Sequence, residues 1–256
     1  MGKTGLEKTG RLSVRVTRLY YPDALACGEG VQLDSQASSH LVRVLRSPAG
    51  TPLVLFNGDG FNYLARTLDA DPRKTAVLVE DKVPANNESP LKITLLQGLS
   101  RQDRMESTIQ KSVELGVSRI IPVICQRSNT RLNADKLNKK QQHWQKVAIS
   151  ACEQCGRAVI PQVLPALSLS ELPSLLEPQA HRYTLLPEAE RSLGEQPETP
   201  VYIEVLIGPE GGLSDEEAGF LREHDFTAVK FGPRILRTET AGPAVISAMQ
   251  LLWGDF

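Results

Sequence analysis

Two stretches of the 256-residue chain carry residue types whose order could do chemistry. The first is Val205-Leu206-Ile207-Gly208-Pro209-Glu210-Gly211-Gly212-Leu213-Ser214. An apolar run enters a glycine-rich turn and leaves into a helix opened by Ser214, and Glu217 three residues on completes a capping box. The glycines permit close backbone approach to a ligand and positive φ. The turn is neither a G-x-G-x-x-G fingerprint nor a Walker loop, since no Lys-Ser/Thr follows. Glu210, Asp215, Glu216 and Glu217 would repel a phosphate. The loop therefore suits a phosphate-free ligand held by backbone groups, and S-adenosylmethionine, a cationic sulfonium joined to adenosine, is such a ligand. A purely structural strand-to-helix turn fits the same spacing.

The second stretch is Phe231-Gly232-Pro233-Arg234-Ile235-Leu236-Arg237-Thr238-Glu239-Thr240-Ala241-Gly242. It too follows a strand-like run and precedes a helix. Polar groups crowd around Ile235-Leu236, a pair that a plain loop would not usually bury between two arginines. The alternative is a long helix cap in which Thr238 or Thr240 caps the last helix.

The elements around these loops alternate between strand and helix periods. Residues 91–96, 118–124, 201–207 and 228–231 read as strands, and 101–115, 136–157, 214–224 and 240–253 as helices. That alternation predicts a parallel sheet covered on both faces, with the loops outside the carboxyl ends of its strands. Before residue 84 the pattern is different. Short strands at 13–19, 51–57, 61–68 and 74–82, split by turn signals, predict a small β-barrel. Residues 40–46 read as a helical turn with Leu41, Val44 and Leu45 on one face and Arg43 and Arg46 on the other. The polar segment 84–90 reads as a linker, the proline-rich 161–200 as a surface connection, and residues 1–14 as a disordered tail.

Composition sets the class. Hydrophobic residues are 41% and the net charge is −1, which suits a folded core and gives no overall polybasic signal. The charge is uneven: residues 90–160 hold 12 Lys+Arg against 5 Asp+Glu, while 161–256 hold 6 against 15. A polyanion partner fits the basic middle, as do solvated helix faces that pair with the acidic third. Four cysteines, no signal peptide and no apolar run of membrane length lead to the expectation of a cytoplasmic protein. Cys152-Glu153-Gln154-Cys155 falls inside a helix without a second pair, so redox and zinc roles are set aside and no metal is expected. Gly208-Pro209-Glu210-Gly211 also fits a KH-type GXXG, but it follows a strand and carries a glutamate.

LIGPEGGLS followed by FGPRILRTETA resembles the bacterial 16S ribosomal RNA uridine-N3 methyltransferase family (RsmE type) of the SPOUT class. RVTRLYYP at 15–22, HLVRVLR at 40–46, MESTIQKSVELGV at 105–117 and WQKVAISACEQCGR at 144–157 extend the likeness from Arg15 to the end. The resemblance implies an α/β fold: a PUA-like RNA-binding barrel over 15–85 and, over 90–256, a SPOUT domain with a parallel sheet and a C-terminal trefoil knot. Topology rules alone argue against a knot. The resemblance also implies a homodimer, and S-adenosylmethionine held by three loops that contain Leu185, Leu186, Ile207, Gly208, Gly211, Phe231, Gly232, Ile235, Leu236, Thr238 and Thr240. The substrate it implies is 16S ribosomal RNA of the small (30S) subunit.

Uridine N3–H is a weakly acidic imide, so N3 must lose its proton before it attacks a methyl carbon. Arg237 could stabilise the developing anion, with Glu239 as base or orienter, and the two could instead pair with each other. Arg15, Arg18, Arg43 and Arg46 on the barrel, and Arg101, Arg104, Lys111, Arg127 and Arg131 beyond it, are candidate RNA contacts. His40 could stack on a base or pack against the barrel. The rival readings are a SPOUT enzyme acting on transfer RNA or a ribose 2′-oxygen, and a non-catalytic RNA-binding or assembly protein.

Overall fold

The computed structural model describes residues 16–128, 133–193 and 199–256. Arg15, Arg131 and the segment 1–14 lie outside the described residues. The chain divides between Ala85 and Asn86 into two compact units.

The first unit contains β1 (Thr17–Tyr20), β2 (Gly30–Gln32), α1 (Ser35–Ser39), a π-helical turn (His40–Val44), β3 (Pro52–Phe56), β4 (Phe61–Thr67) and β5 (Ala76–Pro84). They build one five-stranded sheet in the order β1-β3-β4-β5-β2, with β1 parallel to β3 and the other pairs antiparallel. The β3–β4 hairpin turns at Gly58 and Gly60, which hold φ of 99° and 86°, a conformation that glycine adopts without steric cost. Period-two alternation sends Tyr63, Ala65 and Thr67 of β4 inward. Leu19, Leu33, Leu41, Leu53, Leu55, Tyr63, Val77 and Val79 form the core.

The turn at 40–46 departs from its expected faces. Only Leu41 is buried, while Val44 is 66% and Leu45 44% exposed. The physical reason is the hydrogen bond from Leu45 N–H to His40 O, which spans five residues and opens the turn beyond α-helical pitch. Val44 therefore does not follow Leu41 into the core.

The second unit contains β6 (Lys92–Gly98), α2 (Gln102–Glu114), β7 (Arg119–Ile124), α3 (Ala134–Cys155), β8 (Gln162–Val163), β9 (Leu167–Ser168), a 3₁₀ turn (Leu169–Leu175), β10 (His181–Leu185), β11 (Tyr202–Ile207), α4 (Asp215–Glu223), β12 (Phe226–Val229) and α5 (Thr238–Trp253). All its strand pairs are parallel, in the order β12-β10-β11-β6-β7-β8, with β9 also on β7. β6 and β11 are buried along almost their whole length, as a sheet covered on both faces requires. On one side α2 packs against α3 and α5.

Three expectations need correction. The segment 161–200 is no mere surface connection, because β10 lies in it, between β11 and β12, with Tyr183 and Thr184 buried. Its sequence HRYTL hides a central strand because Arg182 faces the buried Glu204 rather than solvent. The last strand spans Phe226–Val229, two residues earlier than the expected 228–231, because Phe226 enters the core and Lys230 and Phe231 leave the strand. The far half of the 84–90 linker is fastened to the second unit. Asn87 donates to Gly156 O at 3.0 Å, Glu88 pairs with Arg157 at 2.6 Å, and Ser89 donates to Gln250 at 2.7 Å.

Candidate active site

The carboxyl ends of three adjacent strands set the site. β10 pairs Thr184 with Leu206 of β11, and Leu185 with Val229 of β12. In a parallel sheet the chain leaves all three strands at the same edge. The loops that follow enclose a cavity of about 690 Å³, within the range of small-molecule sites.

Leu185, Leu186, Ile207, Gly208, Gly211, Phe231, Gly232, Ile235, Leu236 and Thr238 line this cavity, together with Pro187, Pro209, Glu210, Gly212, Lys230, Pro233, Arg234, Ala241, Arg104 and Arg237. Thr240 does not line it. Neither threonine caps α5: the cap position is Arg237, Thr238 lies in the first turn, and the Thr238 hydroxyl donates to Gly208 O at 2.8 Å. The Gln97 amide donates to that same hydroxyl at 2.8 Å, so the end of β6, the β11 loop and the start of α5 are fixed together. Ile235 is not buried between its arginines. It is 85% exposed, because the loop carries it out along the cavity rather than under a neighbouring element.

The glycines have specific causes. A Cβ on Gly98 would stand 2.5 Å from Pro209 N, so β6 must end in glycine for the β11 loop to lie against it. A Cβ on Gly211 would stand 2.8 Å from Cβ of Arg127, whose guanidinium donates to Gly211 O and Leu213 O at 3.4 and 3.0 Å. Gly211 is thus required by the outer wall of the loop. Gly212 and Gly232 hold φ of 70° and 76°. The Ser214–Glu217 capping box is present, and Glu217 also accepts from Gln126 N–H at 2.8 Å.

A charged group borders the cavity. Glu210 accepts from Arg101 N–H at 3.1 Å and from Arg104 at 3.2 Å, and Arg104 also reaches Glu239 at 3.8 Å. Arg104 therefore faces the cavity between two carboxylates instead of standing on the outer surface. Glu239 sits in the first turn of α5, where a negative charge meets the positive end of the helix dipole. One oxygen of each glutamate, Oε2, is buried without a partner among the described residues. Arg237 is 76% exposed and approaches Glu239 at 4.0 Å, the outer limit of an ion pair. The Arg237–Glu239 contact is thus loose, and Arg104 shares the same carboxylate.

The remaining basic candidates are dispersed. Arg18 donates to Asn62 at 2.7 Å and lies over the Phe56 ring, so its own unit holds it. Arg43 and Arg46 are exposed, as is His40, which does not pack into the core. Lys111 is exposed on α2, about two turns beyond Arg104. Cys152 is buried near the end of α3, with its thiol directed to Val159 O. Among the described residues no group of three or more His, Cys, Asp and Glu could hold a metal, and no helix is long and apolar enough to cross a membrane.

Sequence reasoning missed Gln97, Gly98 and the placement of Arg104. The signal for the first two was available, since Gln97-Gly98 ends the strand beside β11 and a polar-glycine pair at that edge faces the same loops. Arg104 carried none, because its helix brings it to Glu210 from 106 residues away.

A family model described as RNA methyltransferase domain matches residues 87–250, and one described as RNA methyltransferase PUA domain matches 33–80. A ribosomal RNA small subunit methyltransferase E of Buchnera aphidicola (subsp. Schizaphis graminum) is 34% identical over 242 residues, covering 94% of this chain and 98% of its own. A methyltransferase of Legionella pneumophila, solved with bound SAM, is 37% identical with a TM-score of 0.91, covering 95% of this chain and all of that one. The ribosomal RNA small subunit methyltransferase E of Neisseria gonorrhoeae, solved with S-adenosylmethionine, is 38% identical with a TM-score of 0.88, covering 94% and 99%. Two family models that together span both units, and relatives aligned over nearly their full length, place this chain in the ribosomal RNA small subunit methyltransferase E family.

Proposed function

We propose that the chain transfers a methyl group from S-adenosylmethionine to N3 of a uridine in 16S ribosomal RNA of the small subunit. The observation that carries this is the cavity at the carboxyl ends of β10, β11 and β12, lined by backbone and apolar side chains together with Glu210 and the cations Arg104, Lys230, Arg234 and Arg237. The backbone and apolar walls fit an adenosine derivative, and the cations fit an RNA substrate brought up beside it. Buried and unpartnered, Oε2 of Glu210 fits a ligand with positive charge and hydroxyl donors. Leu185, Leu186, Ile207, Gly208, Gly211, Phe231, Gly232, Ile235, Leu236 and Thr238 would hold it. When bound, the cofactor supplies an electrophilic methyl carbon.

The remaining chemistry falls to side chains. Arg237, exposed at the rim, stabilises the charge that develops on the uracil as N3 loses its proton. Glu239 is the carboxylate nearest Arg237, at 4.0 Å, and receives that proton. Arg104 keeps Glu239 and Glu210 apart and fixed, so the β11 loop and the α5 turn hold their geometry without cofactor contacts.

The first unit, residues 15–85, would grip the RNA as a PUA-like barrel, with residues 90–256 as the SPOUT domain. The C-terminal trefoil knot that the family resemblance implies belongs to this reading of residues 90–256. A homodimer fits Leu251, Leu252 and Phe256, three large apolar residues exposed at the chain end. Such an enzyme works in the cytoplasm, where ribosomal subunits are assembled.

The test is primer extension on small-subunit RNA incubated with protein and S-adenosylmethionine. A methyl on N3 blocks the Watson–Crick edge and gives a hard stop at one uridine. A stop that appears only at low nucleotide concentration marks 2′-O methylation and overturns the position. No stop, from protein that binds S-adenosylmethionine, overturns the substrate.

A further inference from the structure

The turn at residues 40–46 shows an unusual surface. Val44 and Leu45 are 66% and 44% exposed, between Arg43 and Arg46, which are exposed as well. Neither guanidinium has an ion-pair partner among the described residues. The segment 35–50 contains no Asp or Glu to neutralise them. A short apolar ridge flanked by uncompensated cations is poorly suited to water alone.

The backbone holds this arrangement against its preference. Leu45 N–H bonds to His40 O and Ser47 N–H to Leu41 O, each at 3.0 Å, and Arg46 reverses the chain at φ 54°. The left-handed region is disfavoured for any residue with a Cβ, and glycine would fill it without cost. Helical turns with π bonding and non-glycine residues at positive φ cluster where function requires them. An ordinary α turn would have carried Val44 toward the core with Leu41. The wider turn puts Val44 and Leu45 outside instead.

We propose that this turn is a wedge for an unstacked base of looped or single-stranded RNA. Val44 and Leu45 cover the base, while Arg43 and Arg46 neutralise the phosphates on either side. Single-stranded and looped RNA is recognised through bases splayed out of the helix, and leucine and other apolar side chains serve as wedges between base steps in duplexes that proteins bend. The charge pattern favours a polyanion over a protein partner. The proposal rests on the reading that RNA is the substrate, and it adds how the first unit engages it.

Filter binding to small-subunit RNA between about 50 and 200 mM salt separates the two parts of the wedge. Val44→Ser/Leu45→Ser should weaken binding about tenfold at every salt concentration and leave the salt slope unchanged. Arg43→Gln and Arg46→Gly should each weaken binding and flatten the slope of log K against log salt by about one. Urea unfolding controls for structure: the double serine variant should unfold as the wild type does, and Arg46→Gly should be at least as stable, since glycine accepts the left-handed φ. S-adenosylmethionine binding should be unchanged in every variant.

Wild-type RNA affinity in the double serine variant overturns the wedge. So does a change in its dimer dissociation with RNA affinity intact, which would make the turn a contact between copies of the chain. Loss of RNA affinity in the double variant together with the flattened slopes supports it. Failure of the wild type to bind S-adenosylmethionine or to methylate RNA would strike the catalytic reading instead, and the two failures are read separately.

Discussion

The Gln97 side-chain amide donates to the Thr238 hydroxyl at 2.8 Å, joining residues 141 apart in the chain, and the hydroxyl passes its own proton on to Gly208 O at 2.8 Å. Both side chains are buried. The glycine-rich loop is therefore held by a buried strand end and by the first turn of α5, whose Thr238 also lines the cavity.

Thr238→Val keeps the shape and removes both bonds. Gly208 O then loses a buried donor, a cost of about 1–3 kcal/mol. Calorimetric titration should show S-adenosylmethionine affinity about tenfold weaker, and urea unfolding a lower midpoint, while Thr238→Ser should restore both.

Gly98→Ala tests the close approach of β6 to the β11 loop. The new methyl would meet Pro209 N at 2.5 Å and Gly208 C at 2.8 Å, and backbone on that side cannot rotate away. Overpacking of this kind costs about 1–3 kcal/mol. Expected outcomes are a lower melting temperature and lost S-adenosylmethionine binding. Unchanged binding would mean that the loop moves without consequence.

Arg157 ties three segments together. It pairs with Glu88 and donates to Val113 O and Val117 O, each at 2.9 Å, near the end of α2. Arg157→Met would leave a carboxylate and two carbonyls without their donor, at a cost of about 3–5 kcal/mol. Urea unfolding should show the loss directly.

Glu204 forms a polar row across the sheet with Arg182, Thr94 and Arg119, each at the same register on its own strand. Burial is the larger influence and holds its carboxyl above the ordinary 4.5, against the opposing pull of the Glu177 amide, Arg182 and Arg119. Between 4.5 and its raised value the folded protein binds more protons than the unfolded chain, so this group's contribution to stability falls as pH rises through that window. Unfolding measured as a function of pH should show this fall in the wild type and a flatter profile in Glu204→Gln.

Burial, with Glu217 alongside, pushes the Cys125 thiol up to about 12. At pH 8 it should stay inert toward a disulfide reagent while the exposed Cys27 reacts, and unfolding should release it. A fast-reacting Cys125 in the native protein would show that the segment beside α4 opens.

Local chemistry was legible wherever neighbours in sequence do the work. The Ser214–Glu217 capping box, the glycine-rich loop after β11 and the buried runs of β6 and β11 all rest on contacts within a few residues or on a burial pattern that every residue of the strand shares. The two-part division shows as a change of period near residue 85. The π turn at 40–46 did not show, because its apolar spacing is that of an α turn and only the i+5 bond distinguishes the two.

What the sequence by itself determined is the set of loops and the ligand class they suit, since apolar strands, glycine turns and capping residues act locally. Only the tertiary structure decided which groups meet. β10 became a central strand because Glu204, on another strand, partners its arginine. Arg104 became part of the cavity because α2 brings it to Glu210. Gly211 is there for Arg127. Each of these depends on residues far apart in the chain, and their encounter is fixed by sheet order and helix packing, which local propensity does not encode.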